Sequence, residues 1–296
     1  MIIFLSLFIW VAVVRAQFNG QRAFSYLKKQ VDFGPRTPGS KGHAACLKYL
    51  VEQMKRFTPQ VKMQTFVYQD MDEKKQFQLT NVIASFRKDA PRRIFLAAHW
   101  DTRPRADYDK KKENRNKPIP GANDGASGVA VLLEIARQLK ENPPAIGVDL
   151  ILFDGEDYGK EGQLDKYFLG SRYFAKHAGN YHPQYGILLD MIGDAQLNIP
   201  KEGYSNRYLP QIVDKVWRMA ASLGYSEFED RVGSFIDDDH TILLKHGIPC
   251  IDVIDFSYPN PGQNYWHTLQ DTPDKCSPAS LQIVGRVMLE VIYSEE

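Results

Sequence analysis

The chain has 296 residues, of which 43% are hydrophobic and 25% charged, and its formal net charge is +1. This is the composition of an ordinary globular protein, and the length suffices for one large core. The near-neutral charge, with neither a basic stripe nor an acidic tail, argues against nucleic acid as a partner. No shift in composition marks a second domain, so residues 17–296 are predicted to form one domain.

The first sixteen residues have the pattern of a secretory signal peptide. Residues 2–14 form an apolar run that is too short to span a bilayer. Val14 and Ala16 are small residues at the positions that a signal peptidase reads, so cleavage would leave Gln17 as the new terminus. We therefore expect an exported protein, periplasmic or secreted, that does not keep this segment as a membrane anchor. A buried N-terminal strand is the alternative.

Helical and strand-like patterns alternate in the first half of the mature chain. Apolar residues recur at helical spacing in residues 20–33 and 41–56. Strand-like runs follow at residues 61–67, 78–86 and 93–99. The polar stretch 100–123 is too long for an ordinary connection and is predicted to be a functional loop.

The same alternation continues to the C-terminus. Residues 125–140 have the pattern of an amphipathic helix, and residues 148–154 form the continuous apolar run that is typical of a central strand buried on both faces. After a loop at 158–169, the predicted elements are a strand at 185–190, a helix at 206–222, a strand at 247–254 and a helix from Ser277. The pattern predicts an α/β fold: a single-domain α/β/α sandwich around a mostly parallel, mixed and twisted sheet.

Acidic and imidazole residues follow these apolar runs, or lie in a Gly-rich turn, at five places. Functional groups of open α/β sheets lie beyond the carboxyl ends of the strands, and carboxylate and imidazole are the ligands of catalytic zinc sites. The pattern predicts a metal-dependent enzyme. The residues are His99, Asp124, the pair Glu156 and Asp157, Asp190 and His267.

Each of these residues also has an ordinary structural explanation. Asp124 could cap the helix that follows it, and Asp190 could pair with a helix-borne Lys or Arg. Glu156 and Asp157 could be an acidic helix start, although one carboxylate could equally hold a metal while its neighbour carries a proton. His267 could be a solvated loop residue. The set, rather than any single member, carries the prediction.

With these residues in place, the chain resembles the glutaminyl cyclases, and most closely the exported bacterial enzymes of the animal type. The superfamily also includes dinuclear zinc aminopeptidases with the same sheet. The resemblance spans residues 32 to 274. The matching segments are DFGPRTPG, AAHWDTRPRAD, PIPGANDGASGVAVLLEIAR, VDLILFDGEDYG, LGSRYF, YGILLDMIGD, DDDHTILLKHGIP and YWHTLQDTPD.

The resemblance implies one zinc ion per chain and a single proton carrier. The implied zinc ligands are Asp124, Asp157 and His267, and Glu156 is the implied general acid and base. Animal cyclases have Glu at the position of Asp157, and Asp ligates zinc equally.

The resemblance also implies how the substrate is held. Asp190 and Asp238 correspond to a hydrogen-bonded pair of carboxylates beside the reacting groups, and Trp266 corresponds to the pocket wall. Animal enzymes carry a further pocket Trp in the loop after the acidic pair. Residues 159–171 contain no Trp, so that side of the pocket is expected to be built differently.

The implied reaction is cyclisation of the N-terminal Gln of peptides or proteins to pyroglutamate, with release of ammonia. The first alternative is a dinuclear zinc aminopeptidase, whose second metal would be held by His99, Asp190 and a bridging Asp124. Asp238 argues against it, because the peptidases typically have Ser there. The second alternative, a non-catalytic binding protein on the same scaffold, would be expected to have lost a ligand or the base, and none is lost.

Overall fold

Residues 17–295 are described by a computed structural model of the chain. The predicted signal peptide, residues 1–16, lies outside them, as does residue 296. The described residues contain a six-stranded central sheet and two small two-stranded sheets. The central strands are β1 (Val61–Asp70), β2 (Lys75–Phe86), β3 (Arg93–His99), β4 (Gly147–Phe153), β5 (Gly186–Asp190) and β8 (Cys250–Ile254). The small sheets are formed by β6 (Ile199–Lys201) with β7 (Phe228–Val232), and β9 (Pro259–Asn260) with β10 (Gln263–Asn264).

The central sheet has the strand order β1-β2-β4-β3-β5-β8. The last four strands in this order are parallel to one another. β1 and β2 form an antiparallel hairpin at one edge, and β2 pairs antiparallel with β4. The prediction of a mostly parallel, mixed sheet is confirmed.

Helices cover both faces of this sheet, which confirms the predicted α/β/α sandwich. The larger core lies on the face with α1, α2, α3, α6 and α8, and the smaller core lies under α4 and α7. Among residues 17–295, no helix combines the length and the apolar character that crossing a membrane requires. The helices are α1 (Gly20–Val31), α2 (Lys41–Phe57), α3 (Ala126–Glu141), α4 (Leu169–Lys176), α5 (Gly203–Tyr208), α6 (Pro210–Ser222), α7 (Asp239–Lys245) and α8 (Pro278–Tyr293).

The central strands are apolar on both sides because both sides are covered. All seven residues of β4 are buried. Side chains alternate along β3, with Ile94 and Leu96 in the larger core and Phe95 and Ala97 in the smaller one. The continuous apolar run at 148–154 therefore predicted a doubly covered strand correctly.

One predicted helix is wrong in its extent. Residues 206–222 do not form a single helix, because α5 ends at Tyr208 and α6 begins at Pro210. Proline has no N–H to donate and disfavours helical geometry in the residue before it. Leu209 accordingly has φ −134° and ψ 49°, outside the helical region.

The parallel strands bring their carboxyl ends to one edge of the sheet. β3 ends at His99 and β5 ends at Asp190, while Glu156 follows β4 by three residues. Since neighbouring parallel strands end side by side, the candidate residues meet at this edge. This edge holds the candidate site.

Candidate active site

A cavity of about 430 Å³ opens at the carboxyl edge of the sheet. It is lined by every residue that the sequence assigns to catalysis, to substrate binding or to the first metal. His99 lies beneath the cavity, 2% exposed. The seven predicted lining residues are Asp124, Glu156, Asp157, Asp190, Asp238, Trp266 and His267.

Asp124 lies in the turn that leads into α3, and it does not cap that helix. The N-cap residue is Gly125, and no side chain forms a cap hydrogen bond there. The backbone N–H of Asp124 donates to Asp271 at 3.2 Å, which fixes the turn. The Asp124 carboxylate is thereby left free to face the cavity floor, where it is 3% exposed.

Asp124, Asp157 and His267 converge on one point. His267 Nε2 lies 3.5 Å from Asp124 Oδ2 and 3.3 Å from Asp157 Oδ2. Both Oδ2 atoms are buried without a hydrogen-bond partner. Ligand atoms about 2.0–2.1 Å from a tetrahedral zinc ion lie roughly 3.3–3.4 Å from one another. The donor types, the spacing and the unpartnered oxygens therefore fit a zinc ion.

Arg103 orients one of these carboxylates. Its side chain is 1% exposed, and its Nη1 donates to Asp157 Oδ1 at 2.6 Å. The opposite edge of the guanidinium donates to Asp107. With Oδ1 held in this way, Oδ2 of Asp157 faces His267. Sequence reasoning assigned no role to Arg103; the available signal was a cation in the predicted functional loop.

Glu156 is adjacent to Asp157 and faces another group. Its Oε2 lies 3.7 Å from His99 Nδ1. Burial raises the pKa of the Glu156 carboxyl well above its usual range, an effect that the nearby His99 partly offsets. Asp101, also missed by sequence reasoning, accepts hydrogen bonds from the backbone N–H groups of Glu156 and Asp157 at 3.0 and 3.3 Å. It holds the turn that separates the two carboxylates.

Asp190 and Asp238 both line the cavity, and their predicted hydrogen bond stays a prediction. In the described chain Asp190 Oδ1 lies 3.2 Å from His99 Nε2, whereas Asp238 Oδ1 accepts from the N–H of Asp239 at 2.5 Å. Asp238 is therefore the N-cap of α7, yet its Oδ2 is buried and unpartnered. Burial, together with the proximity of Asp190, raises the pKa of Asp238 well above its usual range.

A second group of metal-type ligands adjoins the first. His99 Nε2 lies 3.2 Å from both Asp124 Oδ1 and Asp190 Oδ1. Asp124 thus has one oxygen in each group, as a bridging ligand would. These distances suit either hydrogen bonds from His99 or a second metal ion.

Aromatic side chains form one wall of the cavity. Trp266 stacks on His267 with ring centroids 3.7 Å apart and on Tyr108 at 5.1 Å, and Phe256 meets it edge-on at 4.9 Å. Sequence reasoning found Trp266 but missed the other two rings. The backbone of His267 itself has φ 54°, a region that residues other than glycine rarely adopt.

The opposite side of the cavity is built without Trp, as the sequence predicts. Leu164, Tyr167 and Phe168 line it. The ring of Tyr167 lies under the Arg103 guanidinium, with the central carbon 5.4 Å from the ring centroid. This aromatic side chain therefore packs against the group that orients Asp157.

Comparisons with known proteins find a matching family and several similar structures. The sequence pattern of Peptidase family M28 matches residues 81–292. A glutaminyl-peptide cyclotransferase from Bos taurus is 24% identical over 86% of this chain and 76% of that protein. The crystal structure of Tannerella forsythia glutaminyl cyclase is 39% identical, with a TM-score of 0.90 over 95% of this chain and 100% of that one. A crystal structure described as a leucine aminopeptidase precursor from Bacteroides thetaiotaomicron is 41% identical, with a TM-score of 0.90 over 96% of this chain and 100% of that one.

Proposed function

Because this chain belongs to peptidase family M28 and, within it, to the glutaminyl cyclases, we propose that it converts the N-terminal glutamine of peptides and proteins to pyroglutamate and ammonia. The observation that carries the proposal is the pairing of one zinc-type ligand group with a separate buried carboxylate in one cavity. Asp124, Asp157 and His267 would hold one zinc ion per chain, and Glu156 beside them stays free to carry a proton.

The reaction needs one proton to be taken and one to be given. A zinc ion held by Asp124, Asp157 and His267 would supply a Lewis acid for the side-chain carbonyl oxygen of the substrate glutamine. The α-amine loses a proton as it attacks its own side chain, and the amide nitrogen gains one as it leaves in ammonia. Glu156 can perform both transfers in turn, which typically contributes ~100- to 10,000-fold in rate. Burial raises the pKa of this carboxyl, as is common for groups that act as general acids and bases.

The remaining residues position the substrate. Asp190 and Asp238 would hold the α-amine, with a proton shared between the two carboxyls so that one donates and the other accepts. Trp266 and its aromatic neighbours exclude water from one side of the glutamine chain. Since the nucleophile is part of the substrate and no water attacks, orientation and desolvation are the main contributions of the pocket.

The test compares two reactions in one preparation. Ammonia release from Gln-β-naphthylamide and hydrolysis of Leu-p-nitroanilide are measured side by side, with zinc content determined on the same protein. We expect ammonia and pyroglutamate from the glutamine substrate and little release of p-nitroaniline. Hydrolysis of the leucine substrate without ammonia from glutamine would refute the cyclase. The absence of both reactions would indicate a binding protein.

A dinuclear aminopeptidase is the second candidate, and a specific observation favours it. His99, Asp124 and Asp190 lie at metal-ligand spacing, and one similar structure carries an aminopeptidase name. Two tightly bound zinc ions per chain, both required for rate, would support this alternative. One zinc ion at full activity would exclude it.

We also propose that the enzyme works outside the cytoplasm as one domain, residues 17–296. The support is the signal-peptide pattern of residues 1–16. Sequencing the N-terminus of the protein from its native host checks this. An exported protein that begins after Ala16 is expected, whereas a chain that keeps residues 1–16 would contradict the proposal.

A further inference from the structure

A second cavity, of about 350 Å³, adjoins the active-site cavity. It contains none of the residues to which the proposed reaction gives a role. Asp237 lines both cavities, so the two lie next to each other. The second cavity is lined by Tyr204, Tyr208, Asp237, Thr241, Leu244 and Lys245.

A strip of three aromatic rings runs from one cavity to the other. Phe235 lines the active-site cavity and meets Tyr204 edge-on, with ring centroids 5.0 Å apart. Tyr204 in turn stacks with Tyr208 at 6.4 Å and an interplanar angle of 11°. Phe235 is 56% exposed and Tyr208 57%. Large exposed aromatic rings that form a contiguous patch are characteristic of binding surfaces.

Two hydrogen bonds hold the inner end of the strip at the start of α5. The N–H of Gly203 donates to Ser234 O at 2.8 Å, and the N–H of Ile236 donates to Glu202 Oε1 at 3.0 Å. A Cβ at position 203 would lie 2.7 Å from the ring of Phe235. A Cβ at this position would push the Phe235 ring away from the start of α5, so glycine permits the observed contact.

We propose that this aromatic strip binds an aromatic or aliphatic side chain that the substrate peptide carries three to five residues after its N-terminal glutamine. The inference rests on the proposed function, since the glutamine must occupy the active-site cavity. An extended peptide advances roughly 3.3 Å per residue, so about three residues cross the three rings. The occupant is therefore the downstream part of the same peptide, because the strip begins at Phe235 in the active-site cavity and ends at Tyr208 in the second cavity.

The experiment varies the peptide and one exposed ring. Heptapeptides that begin with Gln carry one Phe at position four, five or six, and a matched set carries Ser there. A Gln tripeptide, too short to reach Tyr208, reports on the active site alone. The variants are Tyr208→Ser, Tyr208→Phe and, as a control for removing an exposed apolar side chain elsewhere, Met71→Ser; Met71 is 77% exposed on the β1–β2 turn.

The wild-type protein should show a kcat/KM that is roughly three- to tenfold higher for the best Phe peptide than for its Ser partner, the gain expected of one additional aromatic contact. Tyr208→Ser should abolish this preference through KM while leaving the tripeptide unchanged. Tyr208→Phe and Met71→Ser should keep it. Equal preferences in all four proteins, or none in the wild type, would overturn the proposal.

A binding measurement separates this proposal from the proposed reaction. Fluorescence anisotropy of the same heptapeptides, labelled at the C-terminus, needs no turnover. A protein that releases no ammonia from the tripeptide would refute the cyclase, and the anisotropy difference between Phe and Ser peptides would still decide whether the strip binds the downstream side chain.

Discussion

Glu156 and Asp157 are neighbours in the chain, yet their carboxylates face different groups. Asp157 Oδ2 lies 3.3 Å from His267 Nε2, while Glu156 Oε2 lies 3.7 Å from His99 Nδ1. Asp101 accepts from both backbone N–H groups and so fixes the turn between them. One residue can therefore serve as a metal ligand while the next remains a base.

Replacing Glu156 by Gln tests this division of roles. The amide keeps the shape of the side chain but takes no proton at neutral pH, so turnover should fall by ~100- to 10,000-fold. Zinc content and substrate binding should stay at wild-type levels. The matched control is Glu161→Gln, since Glu161 lines the same cavity and has no role in the proton transfer. A Glu156→Gln protein that loses zinc would show that the roles of Glu156 and Asp157 are exchanged.

Arg103 is expected to contribute to zinc affinity without touching the ion. Groups that hydrogen-bond to a metal ligand typically change metal affinity by about 10- to 100-fold, and Arg103 Nη1 donates to Asp157 Oδ1 at 2.6 Å. Arg103→Gln should accelerate zinc loss to a chelator by a factor in that range. Arg105→Gln is the control, because Arg105 donates to the carbonyl oxygens of Tyr158 and Gly159 and its ion pair, at 4.0 Å, is with Asp107 and not with a candidate zinc ligand. Equal rates of zinc loss in the two variants would contradict this role.

Asp238 has two possible functions, and one substitution separates them. It caps α7 through Asp239 N–H, and we propose that it also shares a proton with Asp190. Asparagine caps helices as well as aspartate does but removes the acid. Asp238→Asn should therefore keep the melting temperature and zinc content while turnover falls sharply. Near-normal turnover would mean that the residue is only a cap and would remove its support for the cyclase over the aminopeptidase.

At the scale of elements, the site is assembled from the end of a strand and the start of a helix. Gly125, the N-cap of α3, has φ 96° and follows the ligand Asp124. A Cβ at this position would lie 2.5 Å from Asp101 O and 3.1 Å from His99 Cε1. The helix start and the end of β3 thus approach as closely as glycine permits, which sets the spacing of the candidate ligands.

Gly125→Ala should therefore reduce both stability and zinc affinity. Left-handed backbone alone costs roughly 1–2 kcal/mol for a residue with a Cβ. Gly224→Ala is the matched control, since Gly224 has φ +81° and open space around its Cβ position. Thermal melting and zinc titration of both variants measure the difference. The Gly125 variant should lose more stability than the control and should bind zinc more weakly; equal melting temperatures and unchanged zinc binding would contradict the argument.

At the scale of the whole molecule, the sequence predicted the architecture, and the candidate residues that it named lie together at one edge of the sheet. Apolar runs that end in acidic or imidazole residues mark parallel strands and their carboxyl edge, so the sequence alone predicts that His99, Asp124 and Asp190 lie close together. The continuous run of β4 predicted a strand covered on both faces. These features depend on local pattern and on the common direction of parallel strands.

The parts that the sequence did not predict depend on the paths of loops. Arg103 reaches Asp157 across 54 positions of the chain, and Asp101 reaches Glu156 across 55. Tyr108 and Phe256 meet Trp266 from separate loops. No periodicity reports such contacts, because loop conformation is set by tertiary packing rather than by spacing along one element. The break of the predicted helix at 206–222 was readable from Pro210 and was missed.

The pH dependence of folding provides a test of the core beside the site. Asp255 is fully buried and accepts hydrogen bonds from the backbone N–H groups of Asn198 and Ser257 at 2.8 and 3.0 Å. Burial raises the pKa of this carboxyl to about 7, against about 3.9 in an unfolded chain. Its contribution to stability is therefore present in full below about pH 4 and is lost as the pH rises through 7.

Asp255→Asn should remove this dependence. The difference in free energy of unfolding, variant minus wild type, should rise between pH 4 and pH 8 by an amount on the order of a few kcal/mol. The slope of that difference against pH is the quantity that tests the role of Asp255. Asn loses one backbone hydrogen bond at every pH, and any effect of zinc loss in acid is common to both proteins, so neither effect changes the slope. Urea titrations at four pH values give the slope. Parallel stability curves would show that Asp255 is ionised in the folded protein across this range.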